Sequence, residues 1–470
     1  MILNGMLKIG DRIPSSREIS KELNLSRSTV SYAIDLLLSE GFLESHTRSG
    51  TFVSREIAAE IEAFKQNRQG ENKHSSTPGM DISERGKIVT SAEINTTLPS
   101  GNILHLSLPE IREFPHEIWQ KIYRKHLKNM TPFSVSYADD SGHKLLRENI
   151  AKYLNTARGI PCSPDQVLIT SGSQQSFSLI NFMLTNSGDK IWVEEPGPRI
   201  ISSSVKANNN VIVPVPVDHS GLIPDLAADK DARLAYVTPS VQHPMTVRMT
   251  LERRMQLLNW ANKNNAWIIE DDYTSEFRYN EKPIAPLASL NGLNRVIYAG
   301  SFAKSLLPSL RIGFLVLPPH LIPPFQQAMN VLFRSVSVLT QQVIADFMEE
   351  GHFARHIRKM RSLYAHRLQY LVHKIKRELS EFVDIEYSSG GFHVVIFFKN
   401  ARSDEKLIFE TCNKLNITVE QLSYYYHSNR DKARKGLVLG FASSTEKEMD
   451  YGLCELKKAF HQHTPTLRIK

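Results

Sequence analysis

Cysteine is scarce: three residues in 470, Cys162, Cys412 and Cys454, with no paired spacing. That argues against a disulfide framework or a zinc site, fits a reducing compartment, and leaves no metal to expect. Long apolar runs are missing too, with nothing approaching the roughly 20 residues a membrane-spanning helix needs. The start, MILNGMLKIGDR, has no charged segment leading into an apolar core, so no signal peptide is expected. A cytoplasmic protein with no membrane partner is the expectation. Nor is there a large excess of one charge. Lys+Arg number 57 against 49 Asp+Glu, a net +8 that admits an anionic partner without requiring one. What is present, 41% apolar and 23% charged residues, rules out a wholly disordered or fibrous chain. The length exceeds one core, so a small domain beside a large one is expected.

Composition changes sharply twice. Residues 1–55 read as short helices ending in the β-like Gly50-Thr51-Phe52-Val53; residues 56–100 are polar, without sustained period, and read as a linker. The opening of that linker, EIAAEIEAF, suits a short helix. Residues 101–462 form the large domain. Its apolar runs are Val167–Thr170, Ile191–Val193, Val211–Val217, Leu234–Val237, Trp267–Glu270 and Val296–Ala299, with helical patterns such as Gln174–Leu184 and Leu251–Asn262 between several of them. Continuous apolar strands separated by helices predict a mostly parallel sheet covered on both faces. Beyond Pro318-Pro319 a long helical stretch leads to the runs Phe392–Phe398 and Leu437–Ala442 and a last amphipathic helix.

In the small domain, Ser15 and Glu18 stand at capping-box spacing after Pro14, and Ile19 and Leu23 give the first helix an inner face. Asn24-Leu25-Ser26 is a turn whose serine caps a second helix with Val30, Ala33, Ile34 and Leu37 on its buried side. The free face opens with Arg27, Ser28 and Thr29, suited to phosphates and base edges. Arg48-Ser49-Gly50-Thr51 forms a basic hairpin tip, a wing. Charge alone leaves a docking module open, because residues 1–55 carry seven Lys/Arg and six Asp/Glu, 7 − 6 = +1. The segment PSSREISKELNLSRSTVSYAIDLLLSEGFLESHTRSGTFV, however, resembles the GntR family of bacterial regulators at fixed offsets. The resemblance implies an α+β winged helix-turn-helix in which Arg17, Arg27 and Thr29 contact operator DNA and the wing around Gly50 reaches the minor groove. It also implies a full helix ahead of the segment matching Ile2–Asp11, almost inside which this chain begins. Either the head is short of packing, or the true start lies upstream.

In the large domain the sharpest chemistry lies in Gly300-Ser301-Phe302-Ala303-Lys304, with Arg311 seven residues on. A lysine that follows a buried strand is placed to lose its proton by desolvation, and Ser301 and Arg311 suit a phosphate. Glu270-Asp271-Asp272-Tyr273 sets carboxylates and a phenol at a strand's C-terminal end, where open α/β sheets bind ligands. Thr170-Ser171-Gly172-Ser173-Gln174 runs from strand into helix, a phosphate-binding arrangement. Singly each has a plain structural explanation; together, in this order, they resemble the fold-type I aminotransferases over residues 100–460. That resemblance implies an α/β body binding pyridoxal 5'-phosphate, with Lys304 as its Schiff-base lysine. Asp271 would face the pyridine nitrogen and Tyr273 the ring hydroxyl, with Ser173, Gln174, Ser301 and Arg311 on the phosphate. Tyr137 would reach the phosphate of a partner subunit.

A GntR head on an aminotransferase body is similar to the MocR/GabR-type regulators. The resemblance implies a transcription factor, a head-to-tail homodimer, that senses a small amine or amino-acid-like effector by imine exchange at Lys304. An aminotransferase with an appended DNA-binding head is the alternative, and a body reduced to a dimer scaffold a third. Departures from the pattern bear on the effector. Pro198 stands where an aromatic usually stacks on the cofactor, Ile200 where GabR-type proteins carry an arginine, and Ser443 where the carboxylate-binding arginine is expected. Full transaminase turnover is therefore doubtful, and the effector is expected not to be a plain α-amino acid held by two arginines. His243, where aminotransferases often have asparagine, either bonds the cofactor's ring hydroxyl or fills space.

Overall fold

The computed structural model describes residues 7–46, 49–56, 82–90, 103–130, 139–279, 284–290, 293–333, 336–387, 390–428 and 433–464. Arg48, Tyr137 and the EIAAEIEAF stretch beyond Glu56 lie outside the described residues. The chain divides into two compact units, Met1–Ile82 and Ser83–Lys470.

In the first unit, α1 (Ser16–Glu22) and α2 (Arg27–Ser39) precede a hairpin of β1 (Leu43–His46) and β2 (Gly50–Val53). Local chemistry fixes both helix starts. Ser15 accepts from the Glu18 N–H while Glu18 accepts from the Ser15 N–H, the reciprocal capping box. Ser26 Oγ accepts from the Thr29 N–H at 3.1 Å. The hairpin register pairs His46 with Gly50 and Leu43 with Val53, and Ile13 and Val53 bond to the Thr51 and Asp11 carbonyls. The packing is thinner than the sequence pattern implies. Val30, Leu43 and Val53 are buried, but Ala33, expected inside, is exposed, and so is Leu23 at 59%. Both line an open apolar groove of about 460 Å³ with Leu7, Ile19 and Leu37, so the inner faces of the two helices lack a third layer among the described residues.

The second unit opens with α3 (Glu84–Thr90), α4 (His116–Lys128) and α5 (Lys144–Tyr153). Then come β3 (Val167–Thr170), α6 (Ser173–Leu184), β4 (Lys190–Glu195), α7 (Arg199–Ala207), β5 (Val211–Asp218), β6 (Gly221–Leu222) and β7 (Leu234–Val237). The central elements are α8 (Leu251–Lys263), β8 (Trp267–Asp272), α9 (Leu287–Leu290), β9 (Val296–Ser301) and β10 (Gly313–Val316). Three helices follow, α10 (Ile322–Leu332), α11 (Val338–Glu349) and α12 (His352–Glu378). The chain closes with β11 (Val383–Glu386), β12 (His393–Phe398), α13 (Glu405–Lys414), β13 (Glu420–Gln421), β14 (Gly436–Gly440) and α14 (Glu446–His463).

The strands form an eight-stranded sheet, β3-β10-β9-β8-β7-β4-β5-β6, and a four-stranded one, β11-β12-β14-β13. In the large sheet β9, β8, β7, β4 and β5 run parallel; β10 is antiparallel to both its neighbours. Alternate residues serve the two faces. Ile191, Tyr236, Ile269 and Ile297 pack with Phe177, Val205 and Phe325 of α6, α7 and α10. Trp192, Val237, Ile268 and Val296 pack with Ile150, Leu257 and Ile344 of α5, α8 and α11. This is the doubly covered, mostly parallel sheet that the apolar runs predict. β10 escaped the strand reading because Gly313-Phe-Leu-Val follows a proline-rich turn without a break in composition.

Gly300, one residue before the end of β9, has no room for a side chain: a Cβ there would stand 2.2 Å from the Phe314 ring. Gly300→Ala should lower stability by about 1–3 kcal/mol through overpacking. Urea titration of the two proteins measures it, and equal midpoints would mean that β9 and β10 are not packed as described.

Candidate functional site

Charged side chains concentrate at the C-terminal ends of the large sheet's parallel strands, Glu194 and Glu195 on β4 and Glu270, Asp271 and Asp272 on β8. β8 ends in three successive carboxyl residues, all buried. Strand alternation sends Glu270 and Asp272 to one face and Asp271 to the other. Glu270 accepts the Leu287 and Ala288 N–H groups at 2.9 and 2.8 Å and faces Arg254 at 3.4 Å. Asp272 is held by Arg158 and by the Tyr298 hydroxyl, each at 2.5 Å. Burial would raise the Asp272 pKa, but Arg158 and these hydrogen bonds outweigh it and hold it below the usual value. Among the described residues no cation acts on Asp271. The Tyr236 hydroxyl donates to its Oδ2, yet burial dominates and pushes its pKa up to about 7. Of the three, Asp271 alone is left to meet the positive end of a ligand.

Lys304 sits on the turn just after β9, its Nζ donating to the Ser107 carbonyl at 2.6 Å and 5.9 Å from the Phe392 ring centroid. Desolvation lowers its pKa to about 8, with Glu420 opposing. An amine so tuned gives up its proton near neutrality, as nucleophilic lysines must. Its cationic form in turn lowers the neighbouring His105, although burial is the larger cause of that pKa of about 4.

A third group consists of rings. His243 is half-buried, held neutral by desolvation, then by His393 and Lys304, and stands edge-on to Tyr273, His393 and Tyr425 at 5.8, 5.1 and 5.0 Å. Its Nδ1 and the Tyr273 hydroxyl have no well-formed hydrogen bond. Two such orphans are costly, about 1–3 kcal/mol each, unless a ligand satisfies them.

A fourth group suits a phosphate. Gly172 at φ 102° turns the chain from β3 into α6, so the free N–H groups of that helix start stand over Ser173 and Gln174. Gly313 closes the cradle, where a Cβ would lie 2.9 Å from Gly172 Cα. Ser301 Oγ accepts from the Ala303 N–H. Arg311 adopts φ 52°, a left-handed backbone uncommon outside glycine, and its exposed guanidinium has no hydrogen bond or ion pair among the described residues.

The remaining sequence candidates place as follows. Arg17, Arg27, Ser28 and Thr29 are exposed at the starts of α1 and α2, and Gly50, φ 114°, begins β2. Arg12 was not singled out from the sequence, yet its guanidinium lies where a Gly50 side chain would be, 2.7 Å from that Cβ position. Ile200 is 40% exposed on α7 and Ser443 is buried, giving its carbonyl to Arg112 at 2.7 Å. Sequence reasoning also missed Tyr236, Ser107, His393 and Glu420. Only Tyr236 left a trace there, as a phenol in an otherwise aliphatic run, Leu234-Ala-Tyr-Val. No helix among the described residues is long and apolar enough to cross a membrane.

Comparison with known proteins gives both parts an assignment. Residues 100–455 match the family described as aminotransferase class I and II, and residues 1–53 that of bacterial regulatory proteins, gntR family. The probable rhizopine catabolism regulatory protein MocR of Rhizobium meliloti is 35% identical over 460 residues, covering 98% of this chain and 91% of the relative. The pyridoxine biosynthesis regulator PdxR of Corynebacterium glutamicum is 28% identical, covering 98% and 93%. Among solved structures, kynurenine aminotransferase of Pyrococcus horikoshii, crystallised with PMP, superposes with a TM-score of 0.71 at 25% identity, over 84% of this chain and 98% of its own.

Asp271 also yields a pH test. Its carboxyl ionises near 3.8 when unfolded but near about 7 when folded, so across that window the folded state holds the extra proton and stability falls as pH rises. Asp271→Asn should therefore stabilise the ligand-free protein by about 2–4 kcal/mol at pH 7 and by little at pH 4. Denaturant titrations of both proteins across that range check it; a gap that does not widen with pH would refute the burial of an uncompensated carboxyl.

Proposed function

Since the chain belongs to the MocR-type transcriptional regulators, GntR heads on an aminotransferase class I and II body, we propose that this body holds pyridoxal phosphate and reports a small amine to the operator-binding head. The single observation that carries the proposal is the joint survival, at one strand-end site, of a desolvated lysine and an unpaired buried carboxyl, Lys304 and Asp271. The donor set fits the cofactor. Ser173, Gln174, Ser301, Arg311 and the first turn of α6 would hold the phosphate, with Tyr137 contributed from a second subunit of a head-to-tail dimer. Asp271 would keep the pyridine nitrogen protonated, and Tyr273 and His243, whose hydroxyl and Nδ1 have no well-formed hydrogen bond among the described residues, would meet the ring hydroxyl.

When bound, pyridoxal phosphate supplies an aldehyde for which Lys304 and an effector amine compete, and a ring that draws electrons from the carbon beside the nitrogen. The chain's part is positional and electrostatic. Burial keeps Lys304 close to losing its proton, and the Ser107 carbonyl gives the released ammonium a resting place. The Arg158–Asp272 and Arg254–Glu270 pairs fix β8, so Asp271 cannot swing away. An effector shifts the balance between two body states only by its differential affinity for them. On the DNA side, Arg17, Arg27, Ser28 and Thr29 would meet phosphates and base edges, and the wing at Arg48 and Gly50 the minor groove.

Adding pyridoxal phosphate to the purified protein should give a visible absorbance band that Lys304→Ala abolishes; an identical band in the variant would remove Lys304 from the site. Sustained keto-acid production from an amine would favour the aminotransferase alternative. On operator DNA, Arg27→Ala should weaken binding about 10-fold or more, as loss of a charged contact does, and wild-type binding should fall steeply with salt. Undiminished binding by the variant in an electrophoretic shift assay would refute the assignment of α2 to the groove.

A further inference from the structure

Glu420, at the start of β13, pairs with Val438 of β14, whose other cross-strand neighbour is Val395 of β12. These three therefore share one face of the small sheet, and His393 and Phe397, two residues either side of Val395, share it as well. Leu106, Leu422 and Tyr425 pack against the same apolar surface, and His393 and Tyr425 flank His243 of the site described above. Glu420 thus brings a carboxylate into a mostly apolar wall, whose far end at Phe397 is covered by the Arg434 guanidinium, 3.6 Å from the ring centroid. It is only partly covered. The Tyr425 hydroxyl occupies its Oε2, and Oε1 makes no hydrogen bond among the described residues. Glu420 and Lys304 act on each other electrostatically, and Glu420 is the one charged side chain, among the described residues, that shifts Lys304.

Among the described residues no guanidinium shifts that carboxylate; Arg434 lies over Phe397 and pairs with Glu386 at 3.2 Å. Arg112 and Arg367 are both committed to Glu110 and to the Ser443 and Ala442 carbonyls, and Val438 presents only methyl groups. An effector that brought its own carboxylate to this wall would set two like charges together where water screens them poorly. A second ammonium would instead find Oε1 ready to accept.

We propose that the pocket selects an amine whose far end is a second cation, a short diamine, over an amino acid, and that Glu420 makes the choice. The inference rests on the cofactor-bound reading of the body. Full-length protein loaded with pyridoxal phosphate is titrated, by its visible absorbance, with unbranched α,ω-diamines, ω-amino acids and alkyl monoamines of matched lengths. At least one diamine should bind about ten- to a hundredfold tighter than its matched monoamine, with the ω-amino acid weakest. Glu420→Gln should bring diamine and monoamine within about threefold of each other while the visible band persists. Tyr425→Phe, which spares the carboxylate, should keep the diamine preference. An ω-amino acid that binds wild-type protein as tightly as the diamine overturns the proposed selectivity, whether or not the variants fold. Undiminished preference in E420Q, or equal loss in Y425F, overturns the role of Glu420. A wild-type protein that shows no visible band on loading sinks the cofactor reading itself, and this inference with it.

Discussion

Three carboxyl groups in succession at the end of a central buried strand impose the constraint around which the rest of the site is built. Burying one unpaired carboxylate costs several kcal/mol, so Glu270, Asp271 and Asp272 cannot all remain charged unless something compensates them. The fold supplies two arginines on one face, Arg254 and Arg158, and none on the other. What remains is one carboxyl, Asp271, whose charge is costly until a cation arrives. Its one hydrogen-bonding side chain among the described residues is a phenol, Tyr236, on the neighbouring strand. Part of the stability of the fold is thereby given up to keep that carboxyl buried.

Lys304 illustrates the same economy from the opposite sign. Its ammonium lies where desolvation disfavours it, with a carbonyl and the more distant Glu420 as its only relief. Asp271 on β8 and Lys304 on the turn after β9 lean in opposite directions, the acid toward holding its proton and the base toward releasing it. Low dielectric does both, and it needs neither metal nor strain to do so. Around them stand His243, His393 and Tyr425, uncharged rings that leave the field to the few charged groups. The head works by the opposite logic. Its candidate contacts, Arg17 and Arg27, are solvated and carry their charge at the surface, where it can act on a polyanion at long range.

Much of this was legible beforehand, and the exceptions have physical causes. A strand buried on both faces is mostly apolar, so Val167–Thr170 and Leu234–Val237 matched their strands to the residue. Capping needs particular side chains at fixed offsets, hence the agreement at Ser15, Glu18 and Ser26. Ala33 and Leu23 failed because a helical period marks a face that wants burial without saying whether a partner is there to bury it. β10 failed because antiparallel insertion between β3 and β9 depends on contacts far away in the chain.

Local order in the sequence thus determined most of the elements, their caps and the mostly parallel character of the sheet, since these follow from patterns among neighbours a few residues apart. Tertiary structure alone decided which of three adjacent carboxyls stays unpaired, because the arginines that satisfy its companions come from residues 158 and 254. It alone brought residue 420 to residue 304, more than a hundred positions away along the chain. Electrostatic energy depends on distance and on the water excluded between charges, and the linear order of residues specifies neither.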